Sequence, residues 1–143
     1  MKVDIRWMAQ KVDLDTVVEI ERSVFRFAWT REDFCAALYE RTVVGMVAEE
    51  KASVLGYFMF DAETTRSLLL NFAVDANHQR KGIGSQMIEK LKRRGKPIYC
   101  DVRETNLPMQ LFLRSHGFTC VQIIREEYCD TDEDAYRFVW EVE

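Results

Sequence analysis

The spacing of apolar residues changes along the chain between helical and strand periods, and this change divides the sequence into elements. After Asp13, a plausible N-cap, apolar residues recur on one helical face, as at Leu14, Val17 and Val18. Elsewhere β-branched and aromatic runs are bounded by polar turns, as strands are. After one N-terminal strand, the pattern predicts a helix from Asp13, further helices at residues 30–39, 85–94 and 108–115, and strands at residues 42–49, 54–60, 68–74, 98–102, 119–125 and 135–142.

The predicted order is β-α-α-β-β-β-α-β-α-β-β, which indicates an α/β (α+β) protein. Residues 42–60 predict a hairpin, whose strands are antiparallel. The strand–helix–strand unit at residues 68–102 requires a right-handed crossover between parallel strands. The pattern therefore predicts a mixed, mostly antiparallel sheet flanked by helices.

Composition narrows the class of protein. At 143 residues with 48% hydrophobic residues, the chain fits one domain spanning residues 1–143. A net charge of −4 disfavours sequence-independent nucleic-acid binding, which uses a basic face. We expect a cytoplasmic protein without a membrane span, because no apolar run reaches the ~18 residues that a span needs. The four cysteines lack metal-site spacing, so no metal is expected and they are interpreted as buried apolar residues.

A glycine-containing segment stands where the strand at residues 68–74 gives way to a helix. A helix N-terminus presents free N–H groups and a positive dipole end, and glycine lets an anion approach the backbone closely. The segment is neither a Walker A loop nor a dinucleotide fingerprint, because it lacks Gly-Lys-Ser/Thr and a third glycine. It predicts a pyrophosphate site that begins at Gln79, with backbone amides supplied by Arg80, Lys81, Gly82, Ile83, Gly84 and Ser85.

Three stretches follow one another in the order of a known family. They are Q-x-x-G-x-G at residues 79–84, D-V-R-E-T-N at residues 101–106, and L-F-L-R-S-H-G-F at residues 111–118. Together they resemble the GNAT superfamily of acetyl-CoA-dependent N-acetyltransferases, most of all the branch with the bacterial ribosomal-protein-alanine N-acetyltransferase. The resemblance implies a GNAT-like sheet whose parallel strand pair splays at the cofactor site, with acetyl-CoA as cosubstrate.

The same resemblance assigns residues to the cofactor. In the family, the pantetheine arm of CoA runs along the first splayed strand, here the backbone of Phe72, Ala73 and Val74. Backbone N–H groups there also polarise the acetyl carbonyl. Asn106 matches an asparagine that contacts the cofactor, although asparagine equally suits the N-cap of the helix at residues 108–115.

Asp101 interrupts an apolar strand and matches the glutamate that acts as general base in the family. A charge in such a strand costs desolvation unless a partner offsets it, so the alternative is a carboxylate held by backbone N–H groups or by Arg103. Leu113 stands where the family has a tyrosine that protonates the leaving thiolate. Because a thiol pKa is near ~8.5, water can take over that step; Tyr99 and Tyr128 are alternative donors.

The acceptor side is predicted from residues near both ends of the chain. Glu21 lies on an otherwise apolar helical face and is the second candidate for general base or amine recognition. Phe27 and Trp29 match a turn that borders the acceptor site in the family, and otherwise are core aromatics. Tyr128 lies near a position that contacts the substrate backbone in related enzymes.

Residues 126–134 carry six carboxylates, which either favour a basic acceptor or only solubilise a loop. The leading interpretation is direct transfer of an acetyl group to an amine, namely the N-terminal α-amino group of a protein or peptide. The alternatives are a small-molecule amine acceptor and a catalytically inactive acyl-CoA-binding module, which Leu113 and the aspartate at position 101 make credible. A monomer or homodimer is expected.

Overall fold

The computed structural model describes residues 1–143, and its elements follow the predicted order. The strands are β1 (Asp4–Trp7), β2 (Val43–Glu50), β3 (Ser53–Ala62), β4 (Ser67–Val74), β5 (Ile98–Arg103), β6 (Thr119–Tyr128) and β7 (Glu133–Trp140). The helices are α1 (Gln10–Val24), α2 (Arg31–Tyr39), α3 (Ile83–Lys92) and α4 (Leu107–Ser115), with a 3₁₀ turn at Ala76–His78. No helix has the length and apolar character needed to cross a membrane.

All seven strands form one sheet, in the order β1-β2-β3-β4-β5-β7-β6. Only β4 and β5 are parallel, and α3 connects them; every other neighbouring pair is antiparallel. The predicted mixed, mostly antiparallel sheet with one parallel pair is therefore confirmed. Because β7 lies between β5 and β6, it supplies the side chains that face β5.

The sheet separates two layers of core, and its inner strand β3 is buried on both faces. Tyr57 and Phe58 are both fully buried, and adjacent residues of a strand point to opposite faces. Tyr57 packs in the layer with α1 and α2, whereas Phe58 packs in the layer with Met87 of α3 and Leu113 of α4. The functional pocket described below opens between these layers, where β4 and β5 part.

The start of α1 differs from the prediction. Helix α1 begins at Gln10 with Ala9 as its N-cap, so Asp13 lies inside the first turn. The Asp13 carboxylate accepts a hydrogen bond from the Ala9 N–H (2.7 Å) and two from Arg6 (2.8 and 2.9 Å). Arg6 holds the pKa of this carboxyl below its ordinary value. Asp13, the fourth residue of the helix, thus caps α1 by accepting from the N–H of the N-cap residue, much as the third helical residue does in a capping box.

The hairpin between β6 and β7 is tighter than predicted. β6 extends to Tyr128, and β7 already begins at Glu133. The register is irregular between Ile124 and Tyr128, and Glu126 there takes a positive φ of 50°. This bulge lets the strands continue pairing, so the acidic segment is mostly strand rather than loop. Against the expectation of four buried cysteines, only Cys100 is buried; Cys35 and Cys120 are partly exposed, and Cys129 at the turn is exposed.

Candidate active site

Strands β4 and β5 remain paired over only three residue pairs, the last being Leu69 with Cys100. β4 then continues along β3, with Leu70 bulged out between two β3 pairs, and β5 continues along β7. The parting strands open a pocket of about 480 Å³. Both candidate carboxylates, Glu21 and Asp101, line this pocket, as do Phe27, Trp29, Phe72, Asn106 and Tyr128.

Backbone groups of β4 alternate between β3 and the gap. Asp75 donates to the Leu55 carbonyl at 2.8 Å, and hydrogen-bonded pairs recur at every second position of an antiparallel ladder. By this alternation Ala73 bonds to β3, whereas Phe72 and Val74 direct their N–H and C=O groups toward the gap. The predicted trio of Phe72, Ala73 and Val74 therefore contributes two residues whose backbone can reach a ligand, and one whose backbone is already paired.

The predicted phosphate loop retains free donors. None of the backbone N–H groups of residues 79–85 donates to a protein acceptor, and the first N–H that does is Gln86, to the Gly82 carbonyl at 3.2 Å. The N-terminus of α3 adds its dipole to these amides. The side chains have other contacts: Gln79 Nε2 donates to the gap-facing Val74 carbonyl at 3.1 Å, and Ser85 Oγ lies 3.0 Å from His116 Nε2.

Glycine suits the two positions of the loop, 82 and 84, for different structural reasons. Gly82 has φ +81°, and a Cβ added there would meet no atom within 4 Å, so the space in front of it is open to a ligand. A Cβ at Gly84 would lie 3.1 Å from the Phe112 ring. Gly84 thus also favours close packing of α3 against α4, a second reason for glycine beside the predicted close approach of a phosphate. Free amides, an open Gly82 and an unpaired strand edge together fit the diphosphate and the extended arm of acetyl-CoA.

Glu21 is almost fully buried at 2% exposure, and three donors hold its carboxylate. Tyr57 donates its hydroxyl and Asn71 its Nδ2 (2.7 Å) to Oε1, and the Trp29 N–H donates to Oε2 at 2.9 Å. Burial, followed by the Glu21 charge, raises the pKa of Tyr57, so that hydroxyl remains a donor. Glu21 therefore connects α1, β3, β4 and the turn at residues 25–30, and the Trp29 ring packs on Phe34 at 5.2 Å.

Asp101 has a single side-chain partner, and it is Arg137 rather than Arg103. Arg137 faces Asp101 across the β5–β7 ladder and donates from Nε (2.8 Å) and Nη2 (2.9 Å), one to each carboxylate oxygen. The ion pair raises the pKa of Arg137. An ionised carboxylate has about four lone-pair sites, so this pairing leaves Asp101 about two for an amine or a water.

Arg103 organises the rim of the pocket. Its guanidinium lies over the rings of Tyr128 (4.0 Å) and Phe27 (4.7 Å), and donates to both oxygens of Asp130 (2.9 and 2.8 Å) and to Glu133 (3.2 Å). Asp134 pairs with Arg125 as well. Three of the six carboxylates in residues 126–134 are thus paired within the protein, which weakens the electrostatic argument for a basic acceptor.

Of the two tyrosines considered as proton donors to the CoA thiolate, only Tyr128 lines the pocket. Leu113 is fully buried in the core and does not line the pocket. Tyr99 lies under the Arg66 guanidinium, outside the pocket lining. Tyr128 does line the pocket, and burial raises its pKa to about 12. Asn106 caps α4 by accepting from the Met109 N–H (3.3 Å), and it also lines the pocket.

Sequence reasoning missed the partners that complete the site, namely Tyr57, Asn71 and Arg137. Asn71 carries a signal, because a polar residue interrupts the apolar run of residues 68–74 just before the predicted cofactor strand edge. The polar tip of Tyr57 within an apolar strand is a weaker signal, since tyrosine is common in cores. The sequence gives no signal for Arg137, because its pairing with Asp101 follows only from the register of β5 with β7.

A parallel strand pair that opens beside a helix N-terminus with free amides defines a protein that binds a phosphate-bearing cofactor along a strand edge. The model of the acetyltransferase (GNAT) family matches residues 5–118. The chain belongs to this family, and it is an N-acetyltransferase that uses acetyl-CoA as cosubstrate.

Two N-acetyltransferases from other organisms are similar to this chain over most of their length. The [ribosomal protein bS18]-alanine N-acetyltransferase of Escherichia coli (strain K12) is 27% identical over 133 residues, covering 88% of this chain and 89% of the relative. An N-alpha-acetyltransferase of Sulfurisphaera tokodaii is 26% identical over 146 residues, covering 90% and 87%. The crystal structure of the Escherichia coli ribosomal-protein-S18-alanine N-acetyltransferase has a TM-score of 0.84 at 23% identity, covering 99% and 95%. This structural likeness supports the fold.

Proposed function

We propose that this protein, acting as a single domain, acetylates the N-terminal α-amino group of a protein or peptide. The observation that carries the proposal is the opening of the β4–β5 pair after Cys100 into a pocket that contains both Glu21 and Asp101. A strand edge that can hold a thioester and a carboxylate that can accept a proton thus share one cavity. The names of the two curated relatives, both N-acetyltransferases of protein substrates or α-amines, support this acceptor class.

The phosphate loop and the strand edge hold acetyl-CoA in this proposal. The free amides of residues 79–85 bind the diphosphate, and the gap-facing Val74 backbone and Phe72 carbonyl bind the arm as an added strand would. Asn106 contributes its Nδ2, since its Oδ1 already caps α4. Acetyl-CoA supplies the acyl carbon activated as a thioester.

Asp101 accepts the proton that the amine loses on attack, directly or through one water. Of the two carboxylates it has more free lone pairs, because three donors already occupy Glu21. Glu21 retains a role in the site by fixing the turn that carries Phe27 and Trp29, and by its negative charge at the pocket floor. The amine attacks the acyl carbon as the carbon–sulfur bond breaks.

Transfer is direct in this proposal, with no acyl-enzyme. The one cysteine that lines the pocket is Cys100, and burial raises its pKa to about 12, so its thiol stays protonated at neutral pH and is no nucleophile. Because the CoA thiol has a pKa near ~8.5, the leaving thiolate takes up a proton from bulk solvent at modest cost near neutral pH. Tyr128, whose hydroxyl stays protonated because burial raises its pKa to about 12, borders the acceptor with Phe27.

The test is CoA release with acetyl-CoA and a panel of acceptors, followed by mass spectrometry of the products. We expect acetylation of peptides with a free α-amine, and none of the same peptides when the N-terminus is blocked and lysine is the remaining amine. Asp101→Asn should lower turnover by at least about tenfold with little change in acetyl-CoA affinity. Preference for polyamines or aminoglycosides would replace the proposed acceptor by a small-molecule amine.

Arg137→Gln separates the base from the structural role of the ion pair. This variant breaks the same contact as Asp101→Asn but keeps the carboxylate. If Asp101 is the base, Arg137→Gln retains most of the turnover that Asp101→Asn loses. Equal losses in both variants would mean that the site needs the ion pair itself.

A further inference from the structure

Asn71 lies in the pocket directly after the bulged residue Leu70, and both ends of its carboxamide are engaged. Its Nδ2 donates to Glu21 Oε1 at 2.7 Å, and its Oδ1 accepts from the N–H of the next residue, Phe72, at 2.9 Å. An ionised carboxylate can only accept hydrogen bonds, so the NH₂ group must face Glu21. Glu21 therefore fixes the orientation that directs Oδ1 to the Phe72 N–H.

The Phe72 N–H is the donor of β4 that faces the gap and belongs to a pocket-lining residue. Acyl transfer develops negative charge on the carbonyl oxygen, and a preorganised N–H aimed at that oxygen stabilises it. The alternative gap-facing donor, Val74, does not line the pocket. The amide best placed to meet the acyl oxygen is thus already bonded to Asn71.

We propose that Asn71 is a positioning residue that occupies the Phe72 N–H and yields it to the acyl oxygen. The inference rests on the proposed function only for the place of the acyl group, not for the identity of the acceptor. The Asn71 carboxamide oxygen is a better acceptor than a neutral thioester carbonyl, so it competes effectively for this donor in the ground state. A developing oxyanion wins the competition, because hydrogen bonds to charged groups are roughly twice as strong.

Because of this competition, the Phe72 N–H stabilises the transition state more than it stabilises the bound thioester. An interaction that is stronger in the transition state than in the ground state accelerates the chemical step, whereas equal binding of both does not. By keeping the Phe72 N–H satisfied, Asn71 also spares a part-buried donor from remaining unpaired before the acyl group arrives. Because Asn71 also donates to Glu21, the state of the Phe72 N–H is coupled to the acceptor side of the pocket.

The experiment compares two ligands that differ in the carbonyl alone, without any acceptor present. Dissociation constants for acetyl-CoA and for the thioether S-ethyl-CoA are measured by calorimetry on the wild type and on Asn71→Ala. Removing the competing oxygen should tighten acetyl-CoA by about threefold to tenfold and leave S-ethyl-CoA unchanged, since only acetyl-CoA carries an oxygen for the Phe72 N–H. An equal change for both ligands, or no change for either, would overturn the proposal.

Gln79→Ala is the matched control, because Gln79 also covers a gap-facing backbone group of β4, the Val74 carbonyl. That group meets the arm and not the acyl oxygen, so this variant should shift the two ligands by the same factor. The wild type offers a readout that needs no substitution. Acetyl-CoA should move the NMR resonances of the Phe72 amide and of the Asn71 NH₂ group much further than S-ethyl-CoA does; identical shifts with both ligands would contradict the displacement.

Discussion

The cofactor side and the acceptor side of the pocket are built from different kinds of groups. On the cofactor side, the backbone N–H groups of residues 79–85 have no protein partner, and the open space before Gly82 leaves them accessible. On the acceptor side, the carboxylates of Glu21, Asp101 and Glu133 all have donors within the protein. The first side is ready to bind an anion, whereas the carboxylates of the second are already hydrogen-bonded within the protein.

This difference indicates where the site tolerates change. Backbone donors do not depend on the side chains that carry them, so the loop should bind a diphosphate with many sequences, provided that Gly82 keeps its left-handed conformation. The acceptor side consists of side-chain hydrogen bonds from four elements, and removal of one partner leaves others unsatisfied. Single substitutions should therefore have larger structural effects on the acceptor side.

Glu21→Ala should give the largest effect. It leaves Tyr57, Asn71 and the Trp29 N–H without their acceptor, and hydrogen bonds to charged groups are worth about 1.5–3 kcal/mol each. Because such losses overlap, we expect the free energy of unfolding to fall by about 3–5 kcal/mol, measured by urea denaturation. Glu19→Ala, on the exposed face of the same helix, should change it by less than about 0.5 kcal/mol. Similar stabilities of the two variants would contradict the anchoring role of Glu21.

Gly82→Asp should give the next largest effect, on binding rather than folding. Its matched control is Gly95→Asp, because Gly95 has φ +77° and the same open space, at the other end of α3. Both substitutions impose about 1–2 kcal/mol of left-handed strain, so both should lower unfolding free energy similarly. Only Gly82→Asp places a carboxylate before the free amides, and it should weaken acetyl-CoA at least about tenfold by calorimetry. Equal affinities in the two variants would remove the diphosphate from this loop.

The cofactor side was also the more predictable side, for the same physical reason. Its signals are local, since a strand, a glycine pair and an amphipathic helix follow one another within residues 68–94. The acceptor side depends on contacts distant in sequence: Asp101 meets Arg137 only through the β5–β7 register, and Glu21 meets Asn71 across 50 residues. A buried carboxylate could be recognised at Glu21, but the sequence did not show which donors hold it.

Local chemistry was also ambiguous where two arrangements suit the same residue. Asp13 was expected as an N-cap, and it instead reaches back to the N-cap from inside the helix, because Arg6 of β1 draws its carboxylate inward. Likewise Gly84 fits a phosphate loop, and the Phe112 ring, 3.1 Å from where a Cβ would lie, gives a second reason for glycine there. Each case involves a tertiary contact that a short window of sequence does not encode.

The smallest effect is expected at the rim, and it tests whether Arg103 offsets the negative charge of the acidic hairpin. With Asp130 and Glu133 held by Arg103, the ratio of kcat/KM for N-terminal Ala-Arg over Ala-Glu peptides should lie within about twofold of one in the wild type. Arg103→Gln removes one cation and releases two carboxylates at the mouth of the pocket. At low salt the ratio should then rise about threefold in favour of the basic peptide, and return toward one at high salt.

Arg103→Lys provides the control that separates charge from stacking. Lysine keeps the cation but not the planar fork that lies over Tyr128 and Phe27 and bonds to both oxygens of Asp130. If charge balance sets the ratio, Arg103→Lys should stay close to the wild type even when its KM for both peptides rises through loss of the stacked rim. A wild-type ratio well above one that neither substitution changes would show that the exposed carboxylates Glu126, Glu127 and Asp132 select the acceptor, and that Arg103 only holds the hairpin in place.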